Sequence, residues 1–405
     1  MKQVLKILLL SIFFLLIYLY LFNSGLIKYL VLGSSSYFGD YQLFKNALNC
    51  MNKGLSPYIG PTELNCVGFN YGHAILFFTP FKNLLINADQ YIVPSFLMIL
   101  FVVSTIKILN PKNYLQLSLT ALALLNPSTL LLIERMNLDI LLYLIIIVLA
   151  FNRIYFLNWL LVVYCFLFKF HPFIYGIIIF VEKKKRKLLN LFIIFILIFI
   201  LSLIFIFIFN DEYILMFENS GAWKMGLHYL FSIKTIPKVL KEAFNIHYGL
   251  LLLITYIMFA IQSYKGSAKL DGALKDSYTF NKKLFLLSAN SLVFCFLTFS
   301  NAFYREVFLI LTIPYLLINM NIKYFRTLFF LFFLKFLFNF IYILDLNYET
   351  FYYAESIRIY NNHFLIIVFF KGVIDYVLML LISSIALRMN LDLLNSYKIN
   401  KIRTY

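Results

Sequence analysis

Long apolar runs separated by short polar stretches set the pattern of this chain. They cover about residues 4–22, 89–109, 113–131, 138–151, 154–168, 172–182, 188–209, 249–264, 284–299, 304–320, 324–343 and 364–388. In lipid the backbone has no water to bond, so such runs are predicted to be transmembrane helices. Several are shorter than the roughly 20 residues of a straight span. The pair 154–168 and 172–182 therefore reads as a broken, partly re-entrant hairpin. Segment 71–86 (YGHAILFFTPFKNLLI), interrupted by Pro80 and Lys82, reads as an interfacial helix. The expected fold class is all-α. It is a single polytopic transmembrane bundle over 1–405, of about 12 spans, with interfacial helices in its outer loops.

Composition strengthens this picture. Hydrophobic residues make up 62%, charged residues 13%, and mean hydropathy is +0.86. A soluble domain has about 45–50% apolar and about 25% charged residues. The formal net charge is +17. Its Lys and Arg collect between the apolar runs, which is the positive-inside pattern with added attraction to anionic lipids. Membrane lipids are thus expected partners, and nucleic acid is not. The opening MKQVLK and the apolar run to Phe22 imitate a signal peptide, but no small-x-small cleavage site follows, so a retained first span is expected.

The loop cations fix an orientation. With the N-terminus inside, the inner loops hold Lys107 and Lys112, then Arg153, then the run Lys183–Lys187. Lys265, Lys269, Lys275, Lys282 and Lys283 follow, then Lys323 and Arg326, and a tail with Lys398, Lys401 and Arg403. Both termini are then cytoplasmic in a plasma membrane. The long loops 23–70 and 210–248, and a shorter one near 344–362, face outward. Loop 210–248 carries four lysines, but long loops obey the rule weakly. Cys50 and Cys66 share the first outer loop, and a disulfide between them stays open. Cys165 and Cys295 sit in apolar runs and read as packing residues.

Four polar constellations fall on the outer side. In GDYQLFKNALNCMNKGLSPY, the residues Tyr37, Tyr41, Phe44, Leu48, Met51 and Leu55 recur at helical spacing. That predicts a helix lying on the membrane surface, with Asp40 in its first turn and Gly54 and Pro57 ending it. Asp40 reads either as an N-cap or as a general base. Glu134, Arg135, Asn137 and Asp139 lie between two spans. They read either as an internal Glu134–Arg135 or Asp139–Arg135 neutralisation or as a substrate site. Lys169 and His171, beside Pro172, either snorkel to headgroups or bind a phosphate. Tyr304 and Arg305 top a later span, where the guanidinium suits a phosphate unless Glu306 neutralises it. Trp223, Lys224, His228, Lys234, Lys238 and Lys241 mark a second amphipathic interfacial segment, to which no chemistry is assigned. Lys335, Lys371 and Asp375 are charges within spans that have no evident place.

The order of these features resembles the GT-C superfamily of membrane glycosyltransferases. It is closest to bacterial members that use polyprenyl-phosphate mannose. The resemblance runs over about residues 1–320. It rests on Asp40 ahead of a surface helix and a G-x-x-P-Y turn (Gly54 to Tyr58). It also rests on an E-R-G-N-x-D-like stretch (Glu134, Arg135, Asn137, Asp139), on K-x-x-P (Lys169, Pro172) and on Tyr304–Arg305. Two departures stand out: Met136 replaces the usual glycine, and Phe303 sits where relatives often carry a polar or acidic residue.

The resemblance implies an inverting, mannosyltransferase-like sugar transfer at the extracytoplasmic face. The donor is a lipid-linked sugar, and the acceptor a glycan or glycolipid. Asp40 is the implied base, with Arg305, Tyr304, Lys169, His171, Arg135, Glu134, Asn137 and Asp139 around the donor phosphate or substrate. No cofactor is firm; a divalent metal on Glu134 and Asp139 is left open. A polysaccharide polymerase or a lipid-linked glycan flippase is the competing expectation. Paired outer-loop arginines mark the first and a charged transmembrane cavity the second.

Overall fold

The computed structural model describes residues 2–31, 37–66, 68–79, 82–169, 171–182, 188–219, 230–274, 279–298, 301–350 and 362–402. Among the described residues the regular structure is helical apart from one two-residue strand pairing, Leu230–Phe231 with Asn301–Ala302. In order come α1 (Lys2–Asn23), α2 (Ile27–Leu30), α3 (Gly39–Asn52), α4 (His73–Phe78), α5 (Lys82–Asn87) and α6 (Ile92–Leu109). Next are α7 (Tyr114–Leu125), α8 (Pro127–Arg135), α9 (Asp139–Phe151), α10 (Tyr155–Phe168), α11 (Ile177–Glu182), α12 (Leu188–Ile208) and α13 (Asn210–Asn219). The remainder are α14 (Thr235–Phe244), α15 (Tyr248–Ala268), α16 (Phe280–Thr298), α17 (Ile313–Ile318), α18 (Lys323–Thr350) and α19 (Asn362–Ile402).

Among the described residues, six helices are long and apolar enough to cross a membrane: α1, α6, α15, α16, α18 and α19. The number rises to eight if each of two bent pairs is one span. One pair is α7–α8, bent by 44°, and the other is α12–α13, bent by 89°. Pro127 explains the first bend. It lacks the N–H that would continue the α7 ladder, and it opens α8 at the position where that loss costs least. Asn126 caps the new helix by accepting from the Ser128 amide at 3.0 Å. The chain is a multi-pass helical membrane protein.

Helix α16 is the axis of the core. Leu284 to Leu287, Ala289 and Leu292 are sealed along its length. Against it pack α9, α19 and the 3-10 helices His171–Gly176 and Phe303–Thr312. Helix α19 also lies on α14, α15 and α18, and α1 rests on α6. By contrast, α1 and α15 expose Leu5, Leu9, Leu16, Leu250, Leu253 and Ile257 outward. That is the surface expected of helices solvated by lipid.

Several sequence expectations change in detail. Segment 71–86 holds two short helices: α4 ends at Phe78, with Thr79 extended after it, and α5 starts at Lys82. The stripe of α3 does not face lipid, since Tyr41, Phe44 and Leu48 are buried against the protein itself. Gly54, with φ +71°, follows the end of α3 as expected. Cys50 and Cys66 are disulfide-bonded and buried, while Cys165 and Cys295 are buried free thiols. Helix α18 runs to Thr350, into the stretch read as an outer loop. Residues 183–187, with their basic run, lie outside the described residues, as do Lys275, Arg403, Trp223, Lys224 and His228.

Candidate active site

Two backbone devices bring Asp40 to the end of α8. Phe38, just before α3, adopts a left-handed conformation (φ +61°) and donates its N–H to the Glu134 carbonyl at 2.7 Å. At the end of α8, Met136 is also left-handed (φ +47°). The Met136 amide reaches the Ile133 carbonyl at 3.0 Å and the Asn137 amide that of Leu132 at 3.0 Å. These are the two bonds of a Schellman cap. The glycine conformation is thus kept without the glycine, at a local cost of about 1–2 kcal/mol. The buried Met136 side chain offsets part of it.

The turn delivers three polar groups. Arg135 reaches Asp40 Oδ1 through Nε at 3.1 Å and Nη2 at 2.6 Å. Asn137 Nδ2 donates to Asp40 Oδ2 and, at 3.1 Å, to the Tyr71 hydroxyl. Asn137 Oδ1 accepts from the Asp139 amide at 2.9 Å, which starts α9 as an Asx turn. Asp139 is then the first residue of α9, where the helix dipole favours a carboxylate. Lys169, at the end of α10, bonds Asp139 Oδ1 at 2.6 Å and lies 4.9 Å above the Tyr71 ring. Arg305, on the 3-10 helix Phe303–Thr312, brings Nε to 3.4 Å from Asp139 Oδ2. Burial pushes the Lys169 ammonium below the ordinary lysine value; Asp139 acts in the opposite direction and Arg305 adds to the depression.

The structure therefore gathers residues from 40, 71, 135–139, 169 and 305 into one connected network. The electrostatic partners differ from those expected. Asp40 is not the N-cap of α3, a place taken by Phe38, and it takes Arg135 as its cation. Neither Glu134 nor Asp139 is the ion-pair partner of Arg135, and Glu306 is not that of Arg305. Arg135, expected on the substrate phosphate, directs two nitrogens at Asp40 instead. Glu134 is buried, and its carbonyl anchors Phe38. The side chains of His171, Phe303 and Tyr304 lie outside the described residues.

An ionised carboxylate offers about four lone-pair directions. The donors from Arg135 and Asn137 occupy three of those on Asp40. One direction on Oδ2 takes no donor among the described residues. Asp139 differs, because Lys169 and Arg305 engage both of its oxygens. A divalent metal on Glu134 and Asp139 does not fit that arrangement. Among the described residues no group of three or more His, Cys, Asp or Glu side chains comes together.

Sequence reasoning missed two parts. Tyr71 joins Asn137 to Lys169 from within a segment read only as interfacial. The charges without a place, Lys335, Lys371 and Asp375, meet Glu306 in a sealed cluster. Lys335 lies 2.8 Å from Glu306 and 2.5 Å from Asp375; Lys371 lies 3.4 Å from Glu306 and 2.8 Å from Asp375. The i,i+4 spacing of Lys371 and Asp375 was the one signal available. Comparison with known proteins finds no matching family, curated protein or solved structure.

Proposed function

We propose that this chain is an inverting glycosyltransferase of GT-C type, acting at the extracytoplasmic face of the plasma membrane. It moves a sugar, mannose-like in the closest resemblance, from a polyprenyl-phosphate donor to a hydroxyl of a glycan or glycolipid. Asp40 Oδ2 takes the proton of the acceptor hydroxyl. The acceptor oxygen bonds to the anomeric carbon as the bond from that carbon to the phosphate oxygen breaks. The leaving polyprenyl phosphate keeps the electron pair and gains negative charge, which Arg305 and Lys169 stabilise. A single displacement of this kind inverts the anomeric configuration.

One observation carries the reading: separate constellations, chosen from sequence for this chemistry, meet in a network whose carboxylate Asp40 keeps one open lone pair. The Cys50–Cys66 bond supports an outward position for the adjoining loop, because such bonds persist in oxidising compartments. The finer layout of about 12 crossings follows when α9, α10 and the 3-10-led segments 171–182 and 303–318 are counted as short spans.

The test is Asp40→Asn in purified, proteoliposome-reconstituted protein supplied with polyprenyl-phosphate sugars. The expected loss of transfer is about 10²- to 10⁴-fold with folding intact. Transfer near the wild-type rate removes Asp40 from the mechanism. Wild-type protein that transfers no sugar but moves lipid-linked glycan across the vesicle favours the flippase reading instead.

A further inference from the structure

Arg305 and Glu306 are consecutive on one 3-10 helix, where successive side chains diverge by about 120°. Arg305 turns to Asp139 of the candidate site. Glu306 turns the other way, into the sealed cluster of Lys335, Lys371 and Asp375. Its second oxygen accepts from Asn339 Nδ2 at 2.8 Å. That same nitrogen donates to Asn126 Oδ1 at 2.9 Å. Asn126 caps the start of α8, and α8 ends at Arg135, which holds Asp40.

These contacts close a ring. One arm runs from Asp40 through Arg135 and the length of α8 to Asn126, Asn339 and Glu306. The other runs from Arg305 through Asp139, Lys169 and Asn137 back to Asp40. The two arms join at the peptide between Arg305 and Glu306. We propose that Glu306, Asn339 and Asn126, backed by Lys335, Lys371 and Asp375, are positioning residues that set the separation of Arg305 from Asp40. In the proposed reaction this is the separation of the leaving-group cation from the base, so the inference rests on that reading and deepens it. A buried ion cluster suits the task. Its members pair with each other, and removing one strands the rest in a low-dielectric interior.

Asn339→Ala is the clean probe, because it cuts the tie between Asn126 and Glu306 and leaves all four charges in place. The expected result is a fall of about 10- to 100-fold in kcat for transfer from the lipid-linked donor, with KM changed less than about threefold. In an Arg305→Ala background the same substitution should have no further effect. An equal fall in both backgrounds overturns the proposal, because Asn339 would then not act through Arg305.

Hydrogen exchange gives a readout that does not depend on transfer. Amides of 303–312 and of the first turn of α8 should exchange faster in Asn339→Ala than in wild type, while those of α15 stay unchanged. Unchanged exchange in 303–312 overturns the positioning role whether or not the transferase reading stands. If transfer is absent in wild type and exchange still responds, the positioning stands and the reaction assignment fails. Should Asn339→Ala not fold, Asn126→Ser keeps a capping oxygen for α8, loses the amide bonds, and answers to the same two measurements.

Discussion

The Asp40 network and the Glu306 cluster use the same chemistry, carboxylates facing Lys, Arg and Asn, but they differ in access. Side-chain exposure is 37% for Arg135, 18% for Arg305, 12% for Lys169 and 10% for Asp40. It is 2% or less for Lys335, Lys371, Glu306 and Asp375. At the first site only the Arg135–Asp40 pair opens to water, which screens it, so that pair contributes little to stability; Lys169 and Arg305 meet an Asp139 that is itself sealed. The second excludes water, so its charges depend wholly on one another. Two neighbouring clusters of like chemistry, joined through one dipeptide, thus differ in how far water reaches them.

The largest expected effect is on the sealed side. Lys335→Met should cost about 3–5 kcal/mol, because it leaves Glu306 and Asp375 with too little counter-charge. Thermal unfolding in detergent measures it. The fourfold neutral replacement Glu306→Gln, Lys335→Met, Lys371→Met, Asp375→Asn should recover most of that stability and still transfer poorly. Full recovery of both would erase the contrast between the clusters. Next in size is the Cys50–Cys66 bond, which closes a loop of sequence separation 16 at the far end of α3 from Asp40. Cys50→Ser with Cys66→Ser should lose about 3 kcal/mol, and reductant should reproduce the loss in wild type and leave the double variant unaffected.

The smallest effect is a pH dependence. Burial lowers the Lys169 value in the folded chain. Below the ordinary lysine value there is then a window in which the unfolded chain binds more protons than the folded one. Stability rises with pH through that window, while the charge on Asp139's partner is lost. Transfer should therefore decline at lower pH than free lysine titrates, and Lys169→Arg should move the decline upward. A kcat profile identical for the two proteins would detach Lys169 from the reaction.

The long helices could be read from the chain because lipid leaves an apolar run no alternative to internal hydrogen bonding. The sequence also selected Asp40, Asn137, Asp139, Lys169 and Arg305, which the fold gathers together. What it did not supply was pairing. Arg135 stands beside Glu134 in sequence yet bonds Asp40, 95 positions away. Arg305 stands beside Glu306, yet the 3-10 geometry sends the two apart. Helical periodicity also gives no sign that 303–312 and 171–176 wind more tightly than their neighbours. Tyr71 escaped notice because its role comes from a fold-back that brings it under Lys169.

The charges within α18 and α19 also constrain biogenesis. A single lysine or aspartate at the centre of a crossing helix carries a translocon penalty of about 2.5–3.5 kcal/mol. Lys335 meets Asp375 only once α19 has been synthesised, and both lysines need Glu306 from the preceding helical segment. Nascent chains halted before α19 should therefore hold α18 loosely in the bilayer and be prone to quality-control removal. Synthesis of α19 would lock α18, α19 and the 3-10 helix Phe303–Thr312 together in one step.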